Sequence, residues 1–192
     1  MTHSLDALTG ALLEAARAAG ADAADAIAVE GTSVAIDVLK GKLEHAERAE
    51  GIDIGLRVIV GQKQANVSAS DTAPGTIAAM AERAVAMARE APDDPSVGLA
   101  DVDQLAKSWD LAALELEDPA TEPAPAELED DARRAEAAAL AVDGVAQVQA
   151  TSAGYGRRRI QLAASNGFSG GYVRTDRVVS LAAISGTGAD ME

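Results

Sequence analysis

The chain contains no cysteine, which excludes disulfide bridges, thiolate metal sites and a cysteine nucleophile. Aromatic residues make up only 2% of its 192 residues, so stacking platforms for single-stranded nucleic acid are nearly absent. Histidine is also scarce, because only His3 and His45 are present. A hydrolytic zinc site needs three protein ligands, usually including two histidines on one helical face. We therefore predict no catalytic, cofactor-binding or metal-binding residue in this sequence.

The formal net charge of −15 bounds the possible partners. A field of this sign repels phosphate and anionic lipid, so neither nucleic acid nor a membrane surface is an expected partner. The N-terminal residues lack the basic and apolar regions of a signal peptide, and no apolar run reaches 18 residues. We expect a soluble, cytoplasmic protein.

The clearest structural pattern is a hairpin over residues 52–70. Apolar residues alternate with other residues up to Val60, and the alternation resumes after Gly61-Gln62-Lys63. This period of two predicts two antiparallel strands with one face against a core. The apolar positions are Ile52, Ile54, Leu56, Val58, Val60, Ala65, Val67 and Ala69.

Three segments have the 3.6-residue apolar period of helices. The first covers residues 4–19, with Ser4 as a possible cap and Gly20 as its stop. The second begins near Pro74, ends at Pro92 and has a stripe of Ile77, Met80, Ala84 and Met87. The third covers about 126–142, with Leu128, Ala132, Ala135, Ala139 and Val142 on one face. The fold class is therefore α+β, an antiparallel or mixed sheet with about three covering helices.

The two halves of the chain resemble each other. Each half begins with a helix that ends at a glycine. Two strands, a turn and two more strands follow. This order suggests an internal α-β-β-β-β duplication. The strong type I′ signal Asn166-Gly167 marks the second turn. The short strands are expected at 24–30, 33–39, 42–49, 52–60, 145–151, 157–164, 168–174 and 177–185, with breaks at Gly31-Thr32 and Gly154/Gly156. The expected core includes Ile54, Leu56, Val58, Leu162, Val179 and Leu181.

The duplication predicts three regions, namely a first repeat with its closing helix at 1–91, a linker at 92–125 and a second repeat at 126–192. Five of the six prolines fall in the linker. Thirteen acidic residues and one basic residue lie between Pro92 and Asp131, so this connection is expected to be solvated. Its middle should be pinned to the domain by Leu105, Trp109, Leu111 and Leu114. The second repeat looks cut where a closing strand should begin.

Several short motifs favour a structural interpretation. Gly154-Tyr155-Gly156 lacks the helix of a dinucleotide fingerprint and is read as a strand break. Gly61-Gln62-Lys63 lacks the other residues of a phosphate loop and is read as a hairpin turn. Ser169 and Ser180 have no positioned histidine or aspartate, so no triad is supported. His45, beside Glu44, is read as an ordinary, partly exposed histidine.

Five arginines are concentrated near the C-terminal end of the sequence. They are Arg157, Arg158, Arg159, Arg174 and Arg177, and they give residues 145–192 a net charge of +2. One interpretation is outward-facing arginines on an edge strand, which limit aggregation. The other is an electrostatic seam for an acidic partner subunit or for the acidic linker itself.

The glycine-rich strand and turn motifs resemble one known family. They include Gly51-Ile-Asp-Ile-Gly-Leu-Arg-Val58, Ala65-Asn-Val-Ser-Ala-Ser-Asp71, Ser165-Asn-Gly-Phe168, Gly171-Tyr-Val-Arg-Thr175 and Gly188-Ala-Asp-Met-Glu192. The chain is similar over essentially its whole length to the N-terminal part of the TldD/PmbA family, also called modulators of DNA gyrase. The motif Asp190-Met191-Glu192 and the turn Asn166-Gly167-Phe168 favour the PmbA (TldE) side.

The resemblance implies a cytoplasmic, heterodimeric metallopeptidase that degrades unfolded peptides and matures peptide-antibiotic precursors. Its zinc ligands belong to a His-Glu-x-x-x-His motif on a later segment of the TldD-type subunit, and this sequence has no such motif. Zinc is thus expected in a TldD-type partner, and this chain would be scaffold and cavity wall. The alternative is a non-enzymatic interaction module that recruits partners by strand addition at an exposed edge. An exposed edge also predicts self-association through residues 177–188.

Overall fold

The computed structural model describes residues 4–186, and three α-helices and five β-strands account for most of them. The helices are α1 (Leu5–Ala19), α2 (Pro74–Glu90) and α3 (Pro125–Leu140). The strands are β1 (Ala23–Leu39), β2 (Lys42–Val60), β3 (Lys63–Ala69), β4 (Val145–Ala164) and β5 (Ser169–Ser185). They form one open antiparallel sheet in the order β3-β2-β1-β4-β5, which confirms the predicted α+β class.

The predicted hairpin at 52–70 is confirmed by the pairing of β2 with β3. Opposite residues run from Ile54 with Ala69 to Val60 with Lys63, so the connecting turn consists of Gly61 and Gln62. Gly61 has a φ of 60°, a conformation that glycine adopts without the steric cost of a Cβ atom. The turn thus fixes the register that the apolar alternation requires.

The predicted strand breaks are wrong. A single strand, β1, runs through Gly31-Thr32, and β4 runs through Gly154 and Gly156. Likewise, β2 is continuous from Lys42 to Val60 and β5 from Ser169 to Ser185. Each predicted repeat thus has two long strands after its helix where four short ones were expected. The duplication itself, with the division into 1–91, 92–125 and 126–192, stays a prediction.

The two long hairpins turn in different ways. Lys40 and Gly41 both have positive φ, 53° and 71°, as a two-residue type I′ turn requires. The predicted type I′ turn at Asn166-Gly167 is wrong, because only Gly167 has positive φ (97°). There, the Gly167 amide donates to the Ala164 carbonyl (3.0 Å), and the Ala164 amide donates to the Phe168 carbonyl (2.9 Å). This is the longer loop with a left-handed glycine, the next most common hairpin connection.

By its internal packing the described chain divides into two units. Unit 1 comprises residues 4–31, 51–116 and 158–173, and unit 2 comprises residues 32–50, 117–157 and 174–186. In unit 1, α1 and α2 cover one face of the strands, and the core consists of small and aliphatic side chains. Its fully buried members include Leu12, Ala16, Ile54, Leu56, Val58 and Ala84. Met87, predicted to lie in the α2 stripe, is exposed, and Ala81, Val85 and Ala88 are buried instead.

Unit 2 has a smaller core, formed where α3 packs on the strands. Its buried residues are Val34, Ile36, Val38, Leu128, Ala132 and Ala153, with Tyr155 against them. Val142, predicted on the buried face of this helix, lies beyond its end and is 58% exposed. Val179 and Leu181, which belong to β5 in unit 2, and Leu162 in unit 1 were expected near the core but are exposed. The predictions for β5 were wrong because β5 is an outer strand of the sheet.

A buried carboxylate joins α3 to the turn between β1 and β2. Glu136 is only 3% exposed, and its two carboxylate oxygens accept hydrogen bonds from the Lys40 and Gly41 amides, each at 2.6 Å. These two N–H groups lie at the tip of a tight turn, where the strand ladder does not use them. The bidentate contact thus satisfies both the amides and the buried charge.

Two fully buried threonines allow a paired test of hydrogen bonding. Among residues 4–186 the hydroxyl of Thr151 in unit 2 has no hydrogen-bond partner, whereas the Thr9 hydroxyl donates to the Asp6 carbonyl at 3.0 Å. We expect Thr151→Val to raise the free energy of unfolding by about 1 kcal/mol, because it removes an unsatisfied polar group without changing the side-chain shape. Thr9→Val should instead lower it by about 1 kcal/mol. Urea unfolding of the two variants would contradict this if Thr151→Val were the more destabilised.

Residues 92–116, here called the strap, follow α2 along unit 1. The Asp94 amide donates to the Gln62 carbonyl at 2.7 Å, and the Asn166 side-chain amide donates to the Ala100 carbonyl at 2.9 Å. Trp109 packs on Phe168, with ring centroids 6.1 Å apart. The expected pinning is thus found at Trp109, whereas Leu114 is 55% exposed.

Candidate functional site

The uncovered face of the unit 1 strands contains a shallow depression of about 480 Å³. Residues of β1, β2 and β3 that alternate with the buried core positions point to this face. Gly55 forms part of its floor, since a Cβ atom there would lie 2.9 Å from Cγ2 of Ile27. The side chains that line it from this face are Asp25, Ile27, Arg57, Asn66, Ser68 and Leu162.

An ion pair borders the depression. The Arg57 guanidinium contacts the Asp25 carboxylate through both Nε, at 2.7 Å from Oδ2, and a terminal nitrogen. Its other terminal nitrogen donates to Oε1 of Gln64 at 3.4 Å. The two charged side chains are 33% and 22% exposed, so the pair is partly shielded from water. Three neighbouring strands are thereby tied together on this face.

The chemistry of the depression suits binding better than bond cleavage. Ile27 and Leu162 are each 38% exposed and supply apolar contact area. Asn66 and Ser68 are exposed and offer an amide and a hydroxyl that can bond to a peptide backbone. Within the part of the chain that the structure describes, the charged side chains that line it are Asp25 and Arg57, and they are paired with each other. An extended peptide with an apolar side chain would fit this combination of groups.

A smaller depression of about 320 Å³ lies beside the start of α1 in unit 1. The Asp6 carboxylate accepts a hydrogen bond from the Ser169 hydroxyl at 3.3 Å and from the Gln161 amide at 3.5 Å. Gln161 also donates to Ser169 at 3.0 Å. Ser169 thus belongs to a polar network on the protein surface, and no histidine is part of these contacts.

Three of the five C-terminal arginines contact acidic side chains of unit 1 or unit 2, each within its own unit. Arg157 bonds to Glu117 (2.8 Å), and Arg159 contacts Glu30 (3.0 Å). Arg177 bonds to Asp131 on α3. Glu117 belongs to the predicted acidic linker, so that linker supplies one partner of the expected electrostatic seam. An acidic partner subunit at these arginines stays a prediction.

The contact between Arg177 and Asp131 yields a pH-dependent prediction. The hydrogen bond from Arg177 lowers the pKa of Asp131; burial opposes this shift, and Arg134 adds to it. A carboxylate with a lowered pKa stabilises the fold above its unfolded value, about 4, and this stabilisation is lost as the pH falls through the folded pKa. Arg177→Ala should therefore raise the pKa of Asp131. The pKa should stay somewhat below its ordinary value, because Arg134 still lowers it.

The measurement is an NMR titration of the Asp131 carboxyl carbon between about pH 2 and 7. Arg157→Ala is the matched control, because it removes an arginine whose partner is Glu117. An Asp131 titration midpoint that does not move in Arg177→Ala would contradict the assigned contact.

The described residues do not suit a metal ion. No group of three or more histidine, cysteine, aspartate or glutamate side chains between residues 4 and 186 could hold one. His45 lies 3.5 Å from Glu47, and both side chains are more than half exposed. His3 and the terminal motif Gly188–Glu192 lie outside the described residues.

The glycine motifs have structural roles. Gly154 and Gly156 allow close cross-strand contacts in unit 2, since a Cβ atom at Gly156 would lie 3.0 Å from the Asp176 carboxylate. Gly61 is confirmed as part of a hairpin turn. Ser180 lies exposed on β5.

Two features were missed by the sequence analysis. The Arg57–Asp25 pair joins residues 32 positions apart, and only the strand register brings them together. In the sequence, Gly55 is simply one residue of an alternating strand. Its place at the floor of the depression depends on its close approach to Ile27. No local sequence signal distinguishes either feature.

Comparison with known proteins identifies two successive domains of one family. Residues 24–88 match the PmbA/TldA metallopeptidase domain 1, and residues 118–192 match the PmbA/TldA metallopeptidase central domain. The metalloprotease PmbA of Escherichia coli O157:H7 is 30% identical over 176 residues, which cover 89% of this chain and 38% of that protein. The chain belongs to the PmbA/TldD family and is similar to its PmbA/TldE-type members.

Solved structures share the fold. A modulator of DNA gyrase from Bacteroides thetaiotaomicron aligns with a TM-score of 0.73 and 18% identity, over 96% of this chain and 42% of that one. TldE from Thermococcus kodakarensis aligns with a TM-score of 0.69 and 15% identity, over 96% of this chain and 40% of that one. The chain thus spans about two fifths of the length of these relatives. No helix among residues 4–186 is long and apolar enough to cross a membrane.

Proposed function

We propose that this chain is the N-terminal part of a PmbA/TldE-type subunit that pairs with a TldD-type subunit in a cytoplasmic zinc metallopeptidase. The pair acts on unfolded peptides and peptide-antibiotic precursors, and the zinc is held by the TldD-type partner. This chain contributes scaffold and a wall of the peptide cavity. The observation that carries the proposal is the succession of two PmbA/TldA metallopeptidase domains on one chain.

The uncovered face of unit 1 is the proposed cavity wall. It combines exposed Ile27 and Leu162 with the polar side chains of Asn66 and Ser68, as an extended peptide requires. The Arg57–Asp25 pair leaves little net charge to select a peptide by its own charge. This composition supports binding of unfolded segments of varied sequence.

The experiment is cleavage of an unfolded, fluorescently labelled protein by the full-length chain mixed with its TldD-type subunit. We expect zinc-dependent cleavage that requires both subunits, and none after chelation. Ser68→Arg should lower cleavage by about tenfold without weakening subunit association, because it places a charge in the depression. Glu82→Arg on the exposed side of α2 is the control. Full cleavage by the TldD-type subunit alone, or by a pair whose PmbA-type subunit lacks residues 4–186, would contradict the proposal.

A second candidate function, strand addition, is favoured by the exposure of β5. This outer strand leaves Val178 54%, Val179 42% and Leu181 36% exposed. Unpaired backbone groups beside apolar side chains are a template for another strand. Residues 177–185 belong to this edge, whereas residues 187 and 188 of the predicted segment lie outside the described residues.

Sedimentation at rising concentration tests this edge. The chain of 192 residues is expected to self-associate despite its charge of −15, and Val179→Lys should keep it monomeric because an edge lysine opposes strand pairing. Val102→Lys, at a 68% exposed position in the strap, is the control. A wild-type monomer throughout, with amide exchange in 177–185 as slow as in 52–60, would show that the edge is already covered.

A further inference from the structure

The turn between β4 and β5 contains the sequence Asn166-Gly167, whose chemistry is not used by the proposed function. An asparagine followed by glycine deamidates easily, since no Cβ atom hinders the glycine nitrogen. In this reaction the Gly167 nitrogen loses its proton and bonds to Cγ of Asn166, the bond from Cγ to Nδ2 breaks, and the NH2 group takes up one proton and leaves as ammonia. Water then opens the succinimide to aspartate or isoaspartate. One water is consumed and one ammonia is released, so no oxidant or reductant is needed.

Both reacting groups are held by hydrogen bonds in the folded chain. The Gly167 amide donates to the Ala164 carbonyl at 3.0 Å, so this hydrogen bond must open before the nitrogen can lose its proton and attack Cγ. The Asn166 side chain is held at both ends, because Nδ2 donates to the Ala100 carbonyl at 2.9 Å and Oδ1 accepts from the Phe168 amide at 3.2 Å. Closure of the succinimide must break these contacts.

One of these contacts comes from the strap. Ala100 lies in the strap, and a few residues further on Trp109 packs against Phe168 and over Gly170. Trp109 is close enough that a Cβ atom on Gly170 would lie 2.3 Å from its ring. The strap is therefore attached to the hairpin at the reactive turn itself and at the residues that follow it.

We infer that Asn166 is a deamidation site whose reaction is controlled by attachment of the strap. While the strap is attached, the Asn166 amide is held by its hydrogen bond to the Ala100 carbonyl, which must break before the side chain can rearrange for attack. After reaction, Nδ2 is lost, and the new carboxylate faces the Ala100 carbonyl where a donor had been. A carboxylate cannot donate to that carbonyl, so the product favours a detached strap. Attachment and deamidation thus oppose each other, independently of any peptidase activity.

Peptide mapping of the incubated full chain tests the first half of this inference. Trypsin releases Asn166 in peptide 160–174 and Asn66 in peptide 64–83. Asn66 precedes the β-branched Val67 and serves as an internal slow reference. We expect Asn166 to deamidate about tenfold more slowly in the folded chain than in urea. A tenfold slower rate corresponds to a turn that must open before reaction, with an opening free energy of about 1.4 kcal/mol. Trp109→Ala should speed the folded-state reaction at least about threefold.

Leu114→Ala, at an exposed strap position, is the matched control and should leave the rate unchanged. Circular dichroism identifies any unfolding by Trp109→Ala. If Trp109→Ala unfolds, the Asn166→Asp variant tests the inference instead. It should speed amide exchange in residues 96–105 and leave amide exchange in residues 54–60 unchanged. Folded-state deamidation at the urea rate would overturn the inference. So would an unchanged rate in folded Trp109→Ala, or unchanged exchange in Asn166→Asp.

Discussion

Replacing Glu136 with alanine is expected to lower the free energy of unfolding by about 3 kcal/mol, because two charge-assisted hydrogen bonds are lost together. The variant leaves the Lys40 and Gly41 amides without their acceptor in a part-buried position. Glu136→Gln keeps the side-chain shape and one acceptor oxygen, so its loss should be about half as large. Urea unfolding followed by circular dichroism measures both.

Glu14→Ala is the control for this prediction. Glu14 lies on the exposed side of α1, and its replacement should change stability by no more than about 0.5 kcal/mol. If Glu136→Ala were as mild as Glu14→Ala, the bidentate contact would not stabilise the turn between β1 and β2.

Gly171→Ala should be destabilising by about 2 to 4 kcal/mol, because the added Cβ atom has no room. It would lie 2.4 Å from the Ile160 carbonyl oxygen and 2.4 Å from Oε1 of Gln161. Gln161 can rotate away, but the Ile160 carbonyl belongs to the neighbouring strand and can move only with the backbone. The expected result is a lower urea midpoint with an unchanged slope.

The matched control for Gly171 is Gly10, in the middle of α1. A Cβ atom there meets nothing within 4 Å, so Gly10→Ala should stabilise the chain by about 1 kcal/mol through helix propensity. If Gly171→Ala lowers the free energy of unfolding and Gly10→Ala raises it, the effect of close cross-strand packing is separated from that of intrinsic helix propensity. Equal and small effects would contradict the close approach of β4 and β5.

The parts of the fold that depend on local pattern could be predicted from the sequence. The hairpin at 52–70 follows from strict alternation, and α1 ends where Gly20 adopts a φ of 93°. Glycines within strands are less predictable: the sequence pattern predicts breaks at Gly31 and Gly154, whereas β1 and β4 run through them. A glycine weakens a strand but also allows close contact with its neighbour, and only the tertiary packing decides between these effects.

Long-range contacts were beyond the sequence analysis. Glu136 lies on the buried side of α3 only because a turn almost 100 residues earlier offers two amides. The depression likewise depends on the registers that bring Asp25 to Arg57 and Ile27 to Gly55. The predicted duplication places Val179 and Leu181 in or near the core, by correspondence with the strand at 52–60. The position of β5 at the sheet edge leaves both exposed.

We propose that this chain is the scaffold of a two-subunit peptidase whose metal lies in its partner. Native mass spectrometry of the full-length protein purified from its own host, with metal analysis of each separated subunit, tests this proposal. We expect a heterodimer with a TldD-type chain, and zinc that stays with that chain after separation. A homo-oligomer, or stoichiometric zinc on the subunit that contains residues 4–186, would contradict it.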